Sequence, residues 1–428
     1  MAFKQVRLGE YFKFEKGLGY KGEFLADESE VALIGMDSHN DGGGYKEGSE
    51  KPYIGPFKPE HVAEVGDVIF AATEQGFGLL ASPLLVPESD KFQTYIYSHH
   101  VLKAFPIKEG FLPEFLYNVF RIDRFRSRAA YGDTGTTVRA LPAEVLEEQI
   151  VPLPDLPKQQ AINDMISMID QQIANNRLLS RNLESLMKSI FFTEVTSKIN
   201  LDNFSELGMS NVHDLQNKIP LNWKMSSLAN NLSALESGKR PKGGGSSDFS
   251  GVPSIGAESI TAIGEFNYTK TKYVPFDFYN KMKSGIVKNL DVLVYKDGAG
   301  AGNFVSMFGG GFPFEEFCIN EHVFLLRGKE ISQAFLYLWM EQRKIRDLMV
   351  ELAQKSAQPG LNKSDMAQIP IVIPTNKVLE KLEMAVSPLI KKILENSSTN
   401  RTLELTIQSV LPSLVTGELE VPSDLIAS

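Results

Sequence analysis

A chain of 428 residues that is 43% apolar, 23% charged and 10% aromatic is rich enough to build real cores and too long for one of them, so two to four domains are expected. Its formal net charge of −9 argues against a generally adhesive nucleic-acid binder and points, at most, to a local basic face supplemented by basic surface from partner subunits. No apolar run approaches the roughly 20 residues needed to cross a bilayer; residues 1–7 lack a secretion-type apolar stretch, and the single Cys318 rules out an internal disulfide, so a cytoplasmic chain without a membrane partner is expected, with Cys318 a buried small apolar residue.

Taken in order, the first 150 or so residues are rich in Gly, Pro, aromatic and β-branched types broken by short turns, the pattern of a mixed module with many short strands. A proline-bounded strand at residues 150–154 follows, and then residues 158–193 carry helical periodicity almost without glycine. A polar connector near 194–222 leads to a second mixed module, a second strand at 369–374 and a second helical stretch at 377–415. The expected divisions are 1–155, 156–196, 197–374, 375–420 and a short tail, 421–428.

The two halves echo one another about 220 residues apart. Phe115-Leu116-Tyr117 recurs as Phe335-Leu336-Tyr337, His100-Val101 as His322-Val323, Ile34-Gly35 as Ile255-Gly256, and Asp67-Val68 as Asp291-Val292. Gln149-Ile150 returns as Gln368-Ile369, and Leu183-Glu184 as Leu403-Glu404. Order and offset are kept, which marks duplication of one large module.

Within the helical stretches, steps of three and four residues pick out a coiled-coil seam. It runs through Ile166, Ile169, Ile173, Asn176, Ser180, Leu183, Met187 and Ile190 in the first, and through Val386, Leu389, Ile393, Asn396, Asn400, Leu403, Ile407, Val410 and Leu414 in the second. Both seams turn polar at the same place. An antiparallel pair in a pseudo-two-fold arrangement sets Asn176 against Asn400 and Ser180 against Asn396, fixing register. Pro388 and Pro412 are expected to kink or fray the second helix. The alternative is two separate surface helices, each packed on its own domain. The fold class expected is α+β: two similar α/β modules separated by two long helices.

Catalytic signatures are missing. Gly298-Ala299-Gly300-Ala301-Gly302 lacks the following helix and ribose-binding acid of a dinucleotide fingerprint. There is no Walker-type phosphate loop and no Asn/Asp-Pro-Pro-Tyr/Phe motif of amino-methylating DNA methyltransferases. The six histidines are dispersed, and His99-His100 alternates on a strand-like run rather than forming a ligand set, so His100 and His322 read as structural. No pair of carboxylates stands out as acid and base. Contacts to DNA are better supported. Arg121, Arg124, Arg126, Arg128 and Arg139 cluster around Tyr131 and a Gly/Thr loop with Thr134, Thr136 and Thr137. Arginine supplies bidentate contacts to guanine or phosphate, and hydroxyls hold phosphates. In the second half Lys239, Arg240 and Lys242 flank a glycine loop, with Lys355, Gln358 and Lys363 in the later loop and Gln354 and Gln358 suited to adenine edges. The plain alternative for Arg121–Arg128 is a solvated helix face.

Several of these pieces resemble the specificity subunit of type I restriction-modification systems. Asp67-Val68-Ile69-Phe70-Ala71 and Asp291-Val292-Leu293-Val294-Tyr295 are similar to its strand ahead of a Gly-rich loop. Ser356-Ala357-Gln358-Pro359-Gly360-Leu361-Asn362 is similar to the loop closing a recognition domain, Pro157-Lys158-Gln159-Gln160-Ala161-Ile162 to the start of a conserved helix, and Leu414-Val415-Thr416-Gly417-Glu418-Leu419 to the end of one. The first half departs from the pattern. It lacks the Gly-Lys-x-Pro turn seen at Gly238-Lys239-Arg240-Pro241, and it closes with Gly132-Asp133-Thr134-Gly135-Thr136-Thr137. The resemblance implies two target-recognition domains and a non-catalytic DNA-reading subunit for a bipartite target on double-stranded DNA. It also implies two modification (methyltransferase) and two restriction (motor-nuclease) subunits as partners. S-adenosylmethionine, ATP and Mg would belong to those partners and no cofactor to this chain. A scaffold or orphan homologue that does not read sequence is the rival expectation.

Overall fold

The structure is a computed structural model that describes residues 3–74, 78–132, 139–199, 219–247, 250–355 and 359–422. It is α+β and packs as two compact units, divided between Gln171 and Gln172 and between Thr402 and Leu403. The divisions therefore fall inside the long helices rather than at their ends. Each unit holds one mixed module together with parts of both helices.

In the first unit, Phe12–Lys16 alternates buried phenylalanines with exposed Lys13 and Glu15, the period of a half-covered strand. Val68–Ala71 is buried throughout and lies inside the sheet. The sheet order is Phe12–Lys16, Val101–Pro106, Val68–Ala71, Pro83–Leu85, with every neighbour antiparallel. A second sheet pairs Val31–Ile34 in parallel with Thr94–Tyr97. Helices Pro113–Arg121 and Asp123–Ala130 cover the core, where Phe70 meets Phe120 edge-on at 5.0 Å and Phe14 at 5.6 Å. Lys4–Arg7 pairs antiparallel with Ile150–Leu153 and clasps the ends of the module together.

The second unit repeats this plan. Its main sheet runs Leu232–Ser237, Val323–Gly328, Asp291–Tyr295, Val305–Phe308, again antiparallel throughout. Val252–Ile255 pairs in parallel with Cys318–Ile319. Helices Gln333–Met340 and Arg343–Ala353 follow, and Lys224–Ser227 with Pro370–Ile373 forms the clasp. Cys318 is fully buried, and burial pushes its thiol up to about 11.

The long helices are Leu156–Glu194 and Asn376–Thr416. Gln159, fully buried, fixes the start of the first: its Oε1 accepts from Leu112 N–H at 2.8 Å, and its Nε2 donates to Gly110 O and Pro154 O. Every seam position expected in the two stretches is buried or half-buried. In the second unit Met187, Phe191 and Val195 share one core with Leu382, Val386, Ile390 and Ile393. Within that unit Asn176 Nδ2 donates to Asn400 Oδ1 at 2.8 Å and Asn396 Nδ2 to Ser180 Oγ at 3.2 Å. Residue numbers rise along one helix as their partners fall along the other, so these segments pair antiparallel.

The fraying expected at Pro388 and Pro412 is corrected, because the helix is unbroken through both. Each proline removes one donor. Pro388 is exposed, beside Met384 at 81% exposure, where water can reach the freed carbonyl. Pro412 lies one turn from the helix end, and Thr416 Oγ1 donates to its carbonyl at 2.9 Å. Among the described residues, no helix is long and apolar enough to cross a membrane.

Candidate nucleic-acid interface

Each module presents the same strand–turn frame. The first main-sheet strand ends in a glycine that presses against the turn leaving the parallel strand. A side chain on Gly17 would meet Tyr97 O at 1.9 Å, and one on Gly238 would meet Ile319 O at 1.6 Å. Only glycine permits so close a backbone approach. Gly17-Leu18-Gly19-Tyr20-Lys21 is thus the first module's version of the turn at Gly238-Lys239-Arg240-Pro241-Lys242. The Gly-Lys-x-Pro letters are absent, and the close approach of its glycine is kept.

Beyond the parallel strand, the chain turns through Ser98-His99-His100 in one module and Asn320-Glu321-His322 in the other. The backbone bonds match: Ala72 N–H donates to His100 O at 3.0 Å, and Lys296 N–H to His322 O at 3.0 Å. A third segment closes the frame. Leu141 N–H donates to Ala72 O at 2.7 Å, and Leu361 N–H to Lys296 O at 2.9 Å. Thr73 and Asp297 consequently occupy one position, as do His99 and Glu321.

The side chains filling the frame differ. In the first module His100 Nδ1 lies 3.1 Å from Thr73 Oγ1, and the His99 and His100 rings are 3.9 Å apart. Burial, then His99, Lys16 and Lys51, hold His100 below the ordinary histidine value. In the second module His322 Nδ1 lies 3.2 Å from Asp297 Oδ2, and its Nε2 lies 3.4 Å from Glu321 Oε1. Lys296 Nζ donates to Asp297 at 2.9 Å and Arg240 Nε meets Glu321 at 2.6 Å.

Three of the first module's candidate arginines are held by protein partners. Arg121 is bidentate to Asp170 at 2.6 and 2.9 Å. Arg128 donates to Gln149 Oε1 at 2.7 Å and to Ile150 O. Arg139 donates to Glu74 Oε1 at 2.6 Å and to Ala130 O at 3.2 Å. Glu74 is itself buried and also accepts from Leu79 and Leu80 N–H. Arg126, part of the same cluster, is spent on Asp123 and on the carbonyls of Gly42, Phe120 and Arg121. Arg121, Arg128 and Arg139 brace the module through Asp170, Gln149 and Glu74, which lie 49, 21 and 65 residues away, out of reach of local pattern reading.

Arg124, Arg128 and Tyr131 are exposed, Tyr131 at 86%. Thr134, Thr136, Thr137 and Gln358 lie outside the described residues. In the second module Lys239 and Lys242 are exposed on the glycine turn and Arg240 is tied to Glu321, with Lys355 and Lys363 exposed at the later loop. Sequence reasoning missed Lys16, Tyr20, Lys51, Asp297 and Glu321, which the turn brings beside the histidines. The signal that would have found them was the His100/His322 echo itself. Among the described residues, no cluster of His, Cys, Asp or Glu is arranged to hold a metal ion.

Residues 220–404 match the family described as the type I restriction modification DNA specificity domain. The chain is similar to the type I restriction enzyme MjaIX specificity subunit of Methanocaldococcus jannaschii, 22% identical over 73% of this chain and 71% of that protein. It is also similar to the HindI specificity subunit of Haemophilus influenzae, 21% identical over 85% of this chain and 89% of that protein. Among solved structures, the type I restriction-modification S subunit from M. genitalium shares the fold, with a TM-score of 0.55 at 14% identity over 96% of each chain. One module built twice, each copy followed by a long helix, defines a duplicated recognition protein. In its second half by family match, and along most of its length by these likenesses, the chain is similar to the specificity subunits of type I restriction-modification systems.

Proposed function

We propose that each module reads one half of a bipartite target on double-stranded DNA, and that the long helices set the spacer and dock the modification subunits. The chain is the sequence-recognition subunit and, as a specificity subunit, is not itself catalytic. The observation that carries the two-half reading is the repeated frame: sheet order, glycine turn and histidine turn recur in both modules, while the exposed side chains on them differ. A shared scaffold with divergent surface groups is what reading two different half-sites requires.

The Asn176–Asn400 and Ser180–Asn396 contacts support the helical role, because they hold the paired segments in one register. Exposed Leu178, Leu179, Leu186 and Phe192 on the first helix supply apolar surface for a modification subunit. The assembly takes two modification and two restriction subunits in the cytoplasm. S-adenosylmethionine, ATP and Mg act in those partners, with base extrusion done by the methyltransferase.

The test is a module exchange. Residues 1–155 are replaced by those of another specificity subunit, and methylated sites are mapped in cells supplying the partner subunits. One half of the recognised sequence is expected to change while the other stays. An unaltered methylation map would favour a scaffold that does not read DNA. Lengthening both helices by one turn is expected to change the permitted spacer and leave both half-sites intact.

A further inference from the structure

The histidine opening the last main-sheet strand has the same backbone setting in both modules and opposite chemical company. We propose that the His99–His100 stack of the first module is a contact to the DNA phosphate backbone that takes up a proton on binding. The first half-site would then be held in a pH-dependent way and the second would not. The proposal rests on the DNA-recognition reading above and deepens it.

Geometry carries it. His99 is exposed and His100 half-buried, with ring centroids 3.9 Å apart and the Tyr20 ring 6.3 Å from His99. Each Nδ1 is placed from behind, His99 at 3.3 Å from Leu18 O and His100 at 3.1 Å from Thr73 Oγ1. Among the described residues neither Nε2 meets a protein partner, so each is available to an incoming oxygen. The charged groups acting most on His100 are cationic or imidazole: His99 in the same turn, Lys16 from Phe12–Lys16, and Lys51 from the neighbouring sheet. Lys51 is itself paired with Asp37 at 2.7 Å. Thr73, on the segment packed behind the ring, is neutral.

A phosphodiester arriving here reverses the balance. Its negative charge favours the imidazolium, relieves repulsion among the surrounding cations and accepts charge-assisted hydrogen bonds. In the second module the matching positions are carboxylates, Asp297 and Glu321, at 3.2 and 3.4 Å from His322. They are already bridged to Lys296 and Arg240. Both His322 ring nitrogens therefore already face carboxylates and leave no ring edge for a phosphate.

The sign follows from linkage. Binding that favours the protonated ring is strongest at low pH and weakens as pH rises, by about tenfold per pH unit for each proton taken up. The experiment uses the full chain assembled with its modification subunits and a duplex carrying the complete target. Affinity is measured from about pH 6 to about pH 8, and proton uptake by calorimetry in two buffers of different ionisation enthalpy. Wild type is expected to take up about one proton and to bind at least tenfold tighter at the acid end. His99→Gln, at an exposed position, and His100→Asn, whose amide reproduces the Nδ1 contact with Thr73, are each expected to lose most of that slope. His322→Gln is expected to keep it. Specific binding with no proton uptake in wild type, or with undiminished uptake in both His99→Gln and His100→Asn, overturns the proposal and leaves the recognition reading standing. Loss of sequence preference at every pH defeats the recognition reading, and this proposal with it.

Discussion

The two modules are built on one backbone and braced in opposite ways. Arg121 closes the first core helix in one module, and its counterpart Glu341 caps that helix in the other, at the repeat offset set by Phe115 and Phe335. Arg121 grips Asp170 at 2.6 Å, whereas Glu341 is gripped by Lys188 at 2.9 Å, with Arg346 at 3.8 Å. Both ion pairs join a recognition module to the first long helix inside its own unit, yet their polarity is reversed. The same substitution principle recurs in the core, where the short turn after Gly35 leads to His39 and the one after Gly256 leads to Ile260. A duplicated fold therefore keeps its hydrogen-bonded frame and lets buried chemistry drift, provided that each drift is compensated locally.

The comparison breaks most severely at the reversed ion pair. Glu341 is only 6% exposed, so Glu341→Lys leaves two or three cations facing one another. It is expected to destabilise the second unit by about 3 kcal/mol or more, read as a lowered urea midpoint with hydrogen exchange accelerated in that unit and not the first. Next comes acid. Burial pushes His39 down to about 4, against the Ile69 and Gly35 carbonyls that favour its charged form. The unfolded chain takes up that proton near pH 6.5 and the folded one only near 4. The first unit accordingly loses up to about 3 kcal/mol as pH falls through that window. His39→Ile, borrowing the second module's residue, is expected to remove that loss, and an unfolding series at about pH 5 and about pH 7.5 checks it.

A smaller effect is expected at the asparagine ladder. Asn176→Leu leaves Asn400 Oδ1 without its donor and costs about 1–3 kcal/mol. The double change Asn176→Leu, Asn400→Leu recovers most of it while admitting shifted helix registers, which cysteine cross-linking across the pair detects. Smallest is the exposed turn. Lys239→Ala with Lys242→Ala is expected to lower the salt slope of DNA binding by about one for each phosphate no longer neutralised, with little change in target preference.

Much of this architecture was legible in the sequence alone. Phe115-Leu116-Tyr117 and its echo sit in cores that demand large apolar groups, so duplication left matching letters. The polar break in both seams was visible because Asn and Ser stand out against an apolar period. Surface assignments were less legible. The partners of Arg121, Arg128 and Arg139 were hidden, because Asp170, Gln149 and Glu74 lie 49, 21 and 65 residues away in sequence. The glycine turn of the first module was hidden because its essential feature is one missing side chain, followed by unrelated letters. Pro388 misled for a related reason: propensity counts the lost donor and not the solvent that satisfies its partner.

The clasp strands carry a last consequence. Lys4 lies opposite Leu153 and Arg7 opposite Ile150, and the second module repeats this with Lys224 opposite Ile373 and Ser227 opposite Pro370. Chain entry and exit are thereby stitched side by side at one small ribbon. Whatever lies between those stitches enters and leaves at one place, so an exchanged module has to meet the rest of the chain at that ribbon and at the long-helix contacts of Gln159 and Asp170. Entry and exit held side by side mean that a change of length inside a module need not move the strand that hands the chain on to the long helix.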